Sequence, residues 1–260
     1  MVNKTVRHLK NGTLLNVIVK KLIRRERRLA FLKYQRNLYN IFKYGPLAPR
    51  FGETIWINPC KYVTGIPREI LRKECGFSHQ EMLGMVIDIK LPTEQTFNIA
   101  DYPKGSVDFN SLGKALKTCE YRSKLRFKFC LEHWVDGVPW EHTGAYEYME
   151  KEIEYSKHGE MDGCKNIDDI VKRYVNLDLV FEQVRNEGRF RLKKEVDHSC
   201  FLDKYEWNRL VHINSNGEIL TSGGSMHRFA IAYILNIPFP AKLGCVHVDS
   251  LQCLNDYRKV

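Results

Sequence analysis

Residues 219–235 constrain this chain most. They read Ile-Leu-Thr-Ser-Gly-Gly-Ser-Met-His-Arg-Phe-Ala-Ile-Ala-Tyr-Ile-Leu, which is a strand end, a glycine turn and a helix in succession. The adjacent glycines Gly223 and Gly224 permit positive φ and a close approach of ligand to backbone. Ser225 stands where an N-cap is needed, with a hydroxyl that can accept from N–H groups two or three residues on. Met226 follows, and the first helical turn carries His227 and Arg228. Free amide groups, the positive end of the helix dipole and a guanidinium then converge on one point, which suits a phosphate. Gly-Gly before a helix also serves as plain punctuation in proteins that bind nothing there.

Downstream, Phe229, Ile231, Ala232 and Leu235 give the helix an apolar face. Asn236-Ile237-Pro238-Phe239-Pro240 ends it, and residues 241–248 read as a buried strand. Upstream, residues 209–214 alternate as a strand and Ser215-Asn216-Gly217-Glu218 turns the chain back as a hairpin. The hairpin delivers the chain to the glycine corner.

With those residues in view, the stretch from about Asn208 to Ser250 resembles the sulfiredoxin/ParB-like superfamily: Gly-Gly, His-Arg, an alanine-containing helix, then Ala-Lys-Leu and a strand. Val175–Gly188 is similar to the helix those proteins place before their second strand, and Glu53–Pro59 to their first strand. One departure matters. Sulfiredoxins carry a reactive cysteine between the glycines and His-Arg. Here Ser225-Met226 fill that position, one residue longer and without a thiol, so the sulfinic-acid reductase chemistry does not carry over. The resemblance still implies a nucleotide-phosphate cradle built from Gly223, Gly224, Ser225 and Met226, with His227 and Arg228 as side-chain donors. It implies ATP or CTP as the nucleotide, with Mg²⁺ as its metal.

The charge of +10 is unevenly spread. Residues 1–50 hold 13 lysines and arginines against one acid, Glu26, while the remaining 28 basic and 30 acidic residues nearly cancel. The basic segment reads as a helix over residues 14–42, with Leu15, Ile18, Leu22, Leu29, Leu32 and Tyr39 at helical spacing. It ends at Gly45-Pro46-Leu47-Ala48-Pro49. A basic amphipathic helix suits nucleic acid or an anionic membrane surface. The alternative is a helix packed on the body by its apolar stripe, with a solvated basic face. Residues 14–43 are therefore the expected partner surface.

Hydrophobic residues at 43% can build a sizeable core, and no apolar run approaches the ~18–20 residues that cross a bilayer. The eight cysteines are scattered, without a C-x-x-C pair, and no secretory signal precedes them. A cytoplasmic protein is expected, with peripheral attachment at a membrane as the alternative. His198 and Cys200 are the nearest hint of a zinc site, at a spacing that is usually incidental.

A second cluster lies at residues 134–146, where Trp134, Trp140, Glu141, His142 and Thr143 crowd together. Trp140 either stacks on a ligand ring, with Glu141 or His142 as general base, or both tryptophans anchor the core. The expected fold is mixed α/β: a small sulfiredoxin/ParB-like sheet flanked by helices over 51–260, a helical insertion over about 61–165, and residues 1–50 as helix and linker. The leading function is nucleotide binding with phosphoryl transfer or hydrolysis, with His227 and Arg228 neutralising developing charge and Asp108 and Glu141 as candidate carboxylates. The alternatives are a non-catalytic nucleotide sensor that engages nucleic acid or membrane, and a nuclease.

Overall fold

The computed structural model describes residues 30–76, 81–112, 118–192 and 209–258. Helix α1 spans 30–44. Strand β1 (Thr54–Ile57) and the short β2 (Thr64–Gly65) precede helix α2 (Arg68–Cys75). Strands β3 (Met85–Ile87) and β4 (Phe97–Asn98) lead to the helices α3 (Phe109–Leu112), α4 (Cys119–Trp134), α5 (Ala145–Glu154) and α6 (Ile167–Glu187). The chain closes with β5 (Leu210–Ile213), β6 (Ile219–Ser222), α7 (Met226–Ile234), β7 (Phe239–His247) and α8 (Leu254–Arg258).

The strands form one mixed sheet in the order β1-β7-β5-β6-β2-β4. Strand β7 is its spine, long enough for one edge to take two partners. β1 lies antiparallel to residues 239–242 and β3 parallel to 245–247. The other edge takes β5 in parallel. β7 is almost wholly buried, as a strand flanked on both edges and covered must be. Its Gly244 has a local cause. The β5 register shifts between Val211 and Ile213, and there the His212 ring fills the space a Cβ at 244 would need, its Cε1 only 2.5 Å from that position. His212 Nδ1 accepts from the Cys245 N–H at 3.0 Å, and its Nε2 lies 2.8 Å from Ser222 Oγ. The buried histidine thus ties β7 to the last residue of β6.

The expected hairpin is present as β5 and β6, and the mixed α/β class holds. Residues 61–165 differ from the expected helical insertion. They contribute β2, β3 and β4 to the sheet, and only their later part, from Phe109 on, is mainly helical. Residues 85–90 alternate as a strand and hold β3, whereas the two-residue strands β2 and β4 are set by their neighbours more than by their own alternation. The helix expected over Val175–Gly188 lies within α6, which is capped by Asn166, whose side chain accepts from the Asp169 N–H, and closed by Gly188 in the left-handed conformation.

Helices α4 to α7 pack over one face of the sheet, while Leu71 of α2 packs with Leu220 and Cys245 in a second core on the other. The main core joins Phe127 and Phe129 of α4, Tyr148 and Met149 of α5, Tyr174 of α6, Phe229 and Ile231 of α7, and Val211, Leu243 and Val246 of the sheet. Among the described residues no helix is long and apolar enough to cross a membrane. The first half of the expected basic helix, residues 193–208, and the His198–Cys200 pair lie outside the described residues.

Candidate anion-binding site

Strands β2 and β6 run parallel side by side, with Gly65 opposite Thr221, and the Ile66 N–H donates to the Thr221 carbonyl at 2.8 Å. Both strands therefore end at the same edge of the sheet, and each leads into a helix. β2 passes through Ile66-Pro67 into α2. β6 passes through Gly223-Gly224-Ser225 into α7. Crevices beyond the carboxyl ends of parallel strands are where open α/β sheets place ligands. Helix α4, packed on α7, brings its own N-terminus to this crevice, with Thr118 as N-cap accepting from the Tyr121 N–H at 3.3 Å.

The result is a pocket of about 210 Å³. Arg68 and Glu69 of α2, Gly223, Gly224 and Met226 of the corner, and Met161 and Asp162 of the α5–α6 loop border it. Helix α4 contributes Cys119, Arg122, Ser123 and Arg126, at the i, i+3, i+4, i+7 spacing that defines one helix face. Three helix N-termini and three arginines thus face one cavity. Each N-terminus offers unpaired N–H groups and a partial positive charge.

A fourth arginine stands behind the corner. Arg209 is fully buried; its Nη1 donates to the Gly223 carbonyl at 3.2 Å and its guanidinium lies over the Phe229 ring at 5.0 Å. Among the described residues its Nε and Nη2 have no hydrogen-bond partner. Burial pushes its pKa down to about 10, with Cys119 opposing and the Arg68 charge adding to the fall. A buried cation lacking a counter-anion is costly, and buried charges are normally paired. An anion in the adjoining pocket would supply the missing charge.

Two of the other arginines are held in place by carboxylates. Arg122 pairs with Glu152 at 2.9 Å, and Arg126 with Asp162 at 3.1 Å. Arg173 reaches the same Asp162 oxygen at 3.4 Å. Burial would lower the Arg126 pKa, but Tyr148, Asp162, Tyr174 and Glu152 outweigh it and hold the guanidinium firmly charged.

The corner has the expected backbone with different detail. Gly223 takes φ +99°, where glycine is needed. Ser225 does occupy the N-cap position, but in the left-handed conformation and without a side-chain capping bond, so its expected hydroxyl cap is not made. At Gly224 a Cβ would stand 3.6 Å from Arg68 Nη2. The corner is open to the pocket.

His227 and Arg228 do not take the expected positions, and neither borders the pocket. Arg228 lies over the Phe190 ring at 5.1 Å. On the first turn of a helix, residues two and three past the cap point to different sides, and here those sides face α6 and the segment after it. His227 is buried, edge-on to Tyr174 with ring centres 5.8 Å apart, and among the described residues its Nε2 has no partner. Burial, then the charges of Arg126 and Arg173, hold its pKa well below the ordinary value, so the ring is neutral at pH 7. It does not act as a cation. The guanidinium role expected of Arg228 falls to Arg68, Arg122 and Arg126.

Asp108 and Glu141 are both exposed and neither lines the pocket. Asp108 Oδ1 accepts from the Asn110 N–H at the start of α3. Glu141 lies in a single 3₁₀ turn with His142, which is also exposed. The tryptophans are core anchors. Trp140 is buried with His133 stacked on it at 4.0 Å and Tyr174 tilted against it at 4.7 Å. Trp134 Nε1, Trp140 Nε1 and His133 Nε2 all meet the Asp178 carboxylate, at 2.9–3.1 Å.

Among the described residues no group of three or more His, Cys, Asp or Glu side chains is placed to hold a metal. The pocket's carboxylates are Glu69 and Asp162, and Asp162 is committed to two arginines. This donor set suits an anion and does not fit a protein-chelated Mg²⁺. No family model, curated protein or solved structure matches the chain.

Proposed function

We propose that the pocket at the Gly223–Gly224 corner binds the phosphate chain of a nucleotide such as ATP or CTP, on a sheet of sulfiredoxin/ParB-like type. The observation that carries this reading is the buried Arg209, with two donor nitrogens that no described residue pairs, behind a cavity that three further arginines and three helix starts surround. The cavity of about 210 Å³ is small beside the ~300–1,000 Å³ of sites that enclose a whole drug-sized ligand. It suits phosphates, and the base and sugar would extend outside.

Held there, a terminal phosphoryl group would meet Arg68, Arg122 and Arg126, whose charges favour the transition state of its transfer. Glu69 borders the same space. It would accept the proton from an attacking hydroxyl or water as the new O–P bond forms and the bridging P–O bond breaks. This places the acid–base role on Glu69 in place of Asp108 or Glu141.

The test uses γ-labelled ATP and CTP, each with and without Mg²⁺, together with small hydroxyl acceptors. Labelled product or released phosphate, lost in Arg122→Ala, supports transfer or hydrolysis. Tight binding without turnover points to the sensor reading. Absence of any binding of nucleotide or tripolyphosphate overturns the proposal.

A further inference from the structure

Helix α1 is docked with its amphipathic faces reversed. Phe31, Tyr34, Leu38, Ile41 and Phe42 follow the i, i+3, i+4 spacing of a single stripe, and all five face outward. Phe42 is 86% exposed, Tyr34 65% and Phe31 59%. The side against the protein is largely polar. Asn40, fully buried, donates from Nδ2 to the carbonyls of Pro49 at 2.6 Å and Gly84 at 2.8 Å. Asn37 Oδ1 accepts from the Phe51 N–H at 2.8 Å. Leu32 alone brings a large aliphatic side chain inward, onto Phe51, Leu83 and Leu210. A surface helix in water takes the opposite orientation. Of the predicted stripe's described residues, Leu32 packs inward and Tyr39 is exposed, so the stripe this helix presents is a different one.

The side-chain bonds of Asn37 and Asn40 hold this orientation, so the apolar stripe is displayed by the fold and is not a product of fraying. Its surroundings indicate what covers it. Residues 1–28 carry nine lysines and arginines against Glu26 alone, so strong positive charge adjoins the stripe along the chain. Lys43, at the other end of the helix, lies between Tyr39 and Tyr44. Like charge disfavours a second copy meeting the first here. A nucleic acid would reward cations on the contact face, yet that face carries Phe31, Leu38, Ile41 and Phe42, while Lys33 and Arg36 lie toward the protein.

We infer that α1 is a membrane-surface helix, which lays its outward stripe into the interface of a bilayer bearing anionic lipids. Apolar residues enter the acyl boundary, tyrosines sit at headgroup level and the basic segment meets the lipid charge. At 15 residues in the described span, α1 lies on the bilayer without crossing it.

The experiment is vesicle flotation with the full chain, using phosphatidylcholine vesicles and vesicles that also contain phosphatidylglycerol. The protein is expected to float with the anionic vesicles only. Leu38→Glu and Phe42→Glu should each weaken this by about tenfold, with thermal unfolding unchanged because both side chains already face solvent. Failure to float, or flotation that both variants retain, overturns the inference. So does a stable dimer that Phe42→Glu dissociates, or retention on duplex DNA that both variants leave intact when vesicle binding is absent.

Discussion

Arg209 Nη1 donates to the carbonyl of Gly223 at 3.2 Å, which links the residue before β5 to the turn after β6. The bond holds a buried guanidinium against the back of the glycine corner, and among the described residues two of its nitrogens have no partner. Replacing Arg209 with Met separates a structural cation from a ligand-binding one. Without ligand, removal of an uncompensated buried charge should leave stability unchanged or raised by about 1 kcal/mol. The rise in melting temperature caused by tripolyphosphate should disappear in the same variant. A variant that melts much lower yet keeps its full response to tripolyphosphate would contradict the proposed role.

Gly223→Ala forces a Cβ into φ +99°. The expected cost is about 1–3 kcal/mol in denaturant unfolding, together with weaker nucleotide binding, because the corner must relax away from Arg209. Gly224→Ala, with normal φ and 3.6 Å to Arg68, should lose far less stability. Equal losses at the two positions would refute this account of the corner.

Cys119 is part-exposed at the pocket wall on the first turn of α4. Bound tripolyphosphate should slow its alkylation by N-ethylmaleimide several-fold, by occlusion. Cys60, exposed elsewhere, serves as the unprotected control, and the buried Cys130 and Cys245 should stay unmodified. Site-resolved mass spectrometry reads all four. Unchanged alkylation at saturating ligand would place the ligand outside this pocket.

His227 makes stability pH-dependent. Burial and the neighbouring arginines lower its folded pKa well below 6.5, so below that pH the unfolded chain binds a proton that the folded chain does not. Its contribution is constant above about pH 6.5 and falls as the pH drops, by up to ~1.4 kcal/mol per unit. Urea unfolding of wild type and His227→Gln across pH 5–7.5 should show a slope smaller by about one proton in the variant. Parallel curves would remove His227 as the source.

Asp178 accepts from the indole N–H groups of Trp134 and Trp140, and His133 Nε2 lies 3.1 Å from the same carboxylate. Asp178→Ala leaves the two indole donors without their acceptor. Because the carboxylate is 38% exposed, water replaces part of it, and the expected loss is about 1–2 kcal/mol. Thermal and urea unfolding measure this, and nucleotide binding should survive, since none of the four residues lines the pocket.

The strand–glycine–helix run at 219–235, the hairpin before it and the helix over Val175–Gly188 were all legible in the sequence, because each depends on contacts within one or two turns. Gly223 could be singled out for its backbone freedom, a property of the residue itself. What could not be seen was which cations stand around that corner. Arg68, Arg122, Arg126 and Arg209 are up to 141 positions apart in the chain, and they meet only because β2 and β6 pair in parallel and α4 packs on α7. Adjacency on the helix pointed to His227 and Arg228 instead, since local reasoning reaches only the next residues along.

The same division explains α1. Its helical period was visible in the sequence, but whether the apolar stripe faced in or out was decided by two asparagines finding backbone partners at Pro49, Gly84 and Phe51. Sequence alone determined where the chain turns and which segments are amphipathic, since those follow from short-range sterics and spacing. Tertiary structure alone decided which charges share a cavity and which face meets solvent, because both depend on contacts between distant segments.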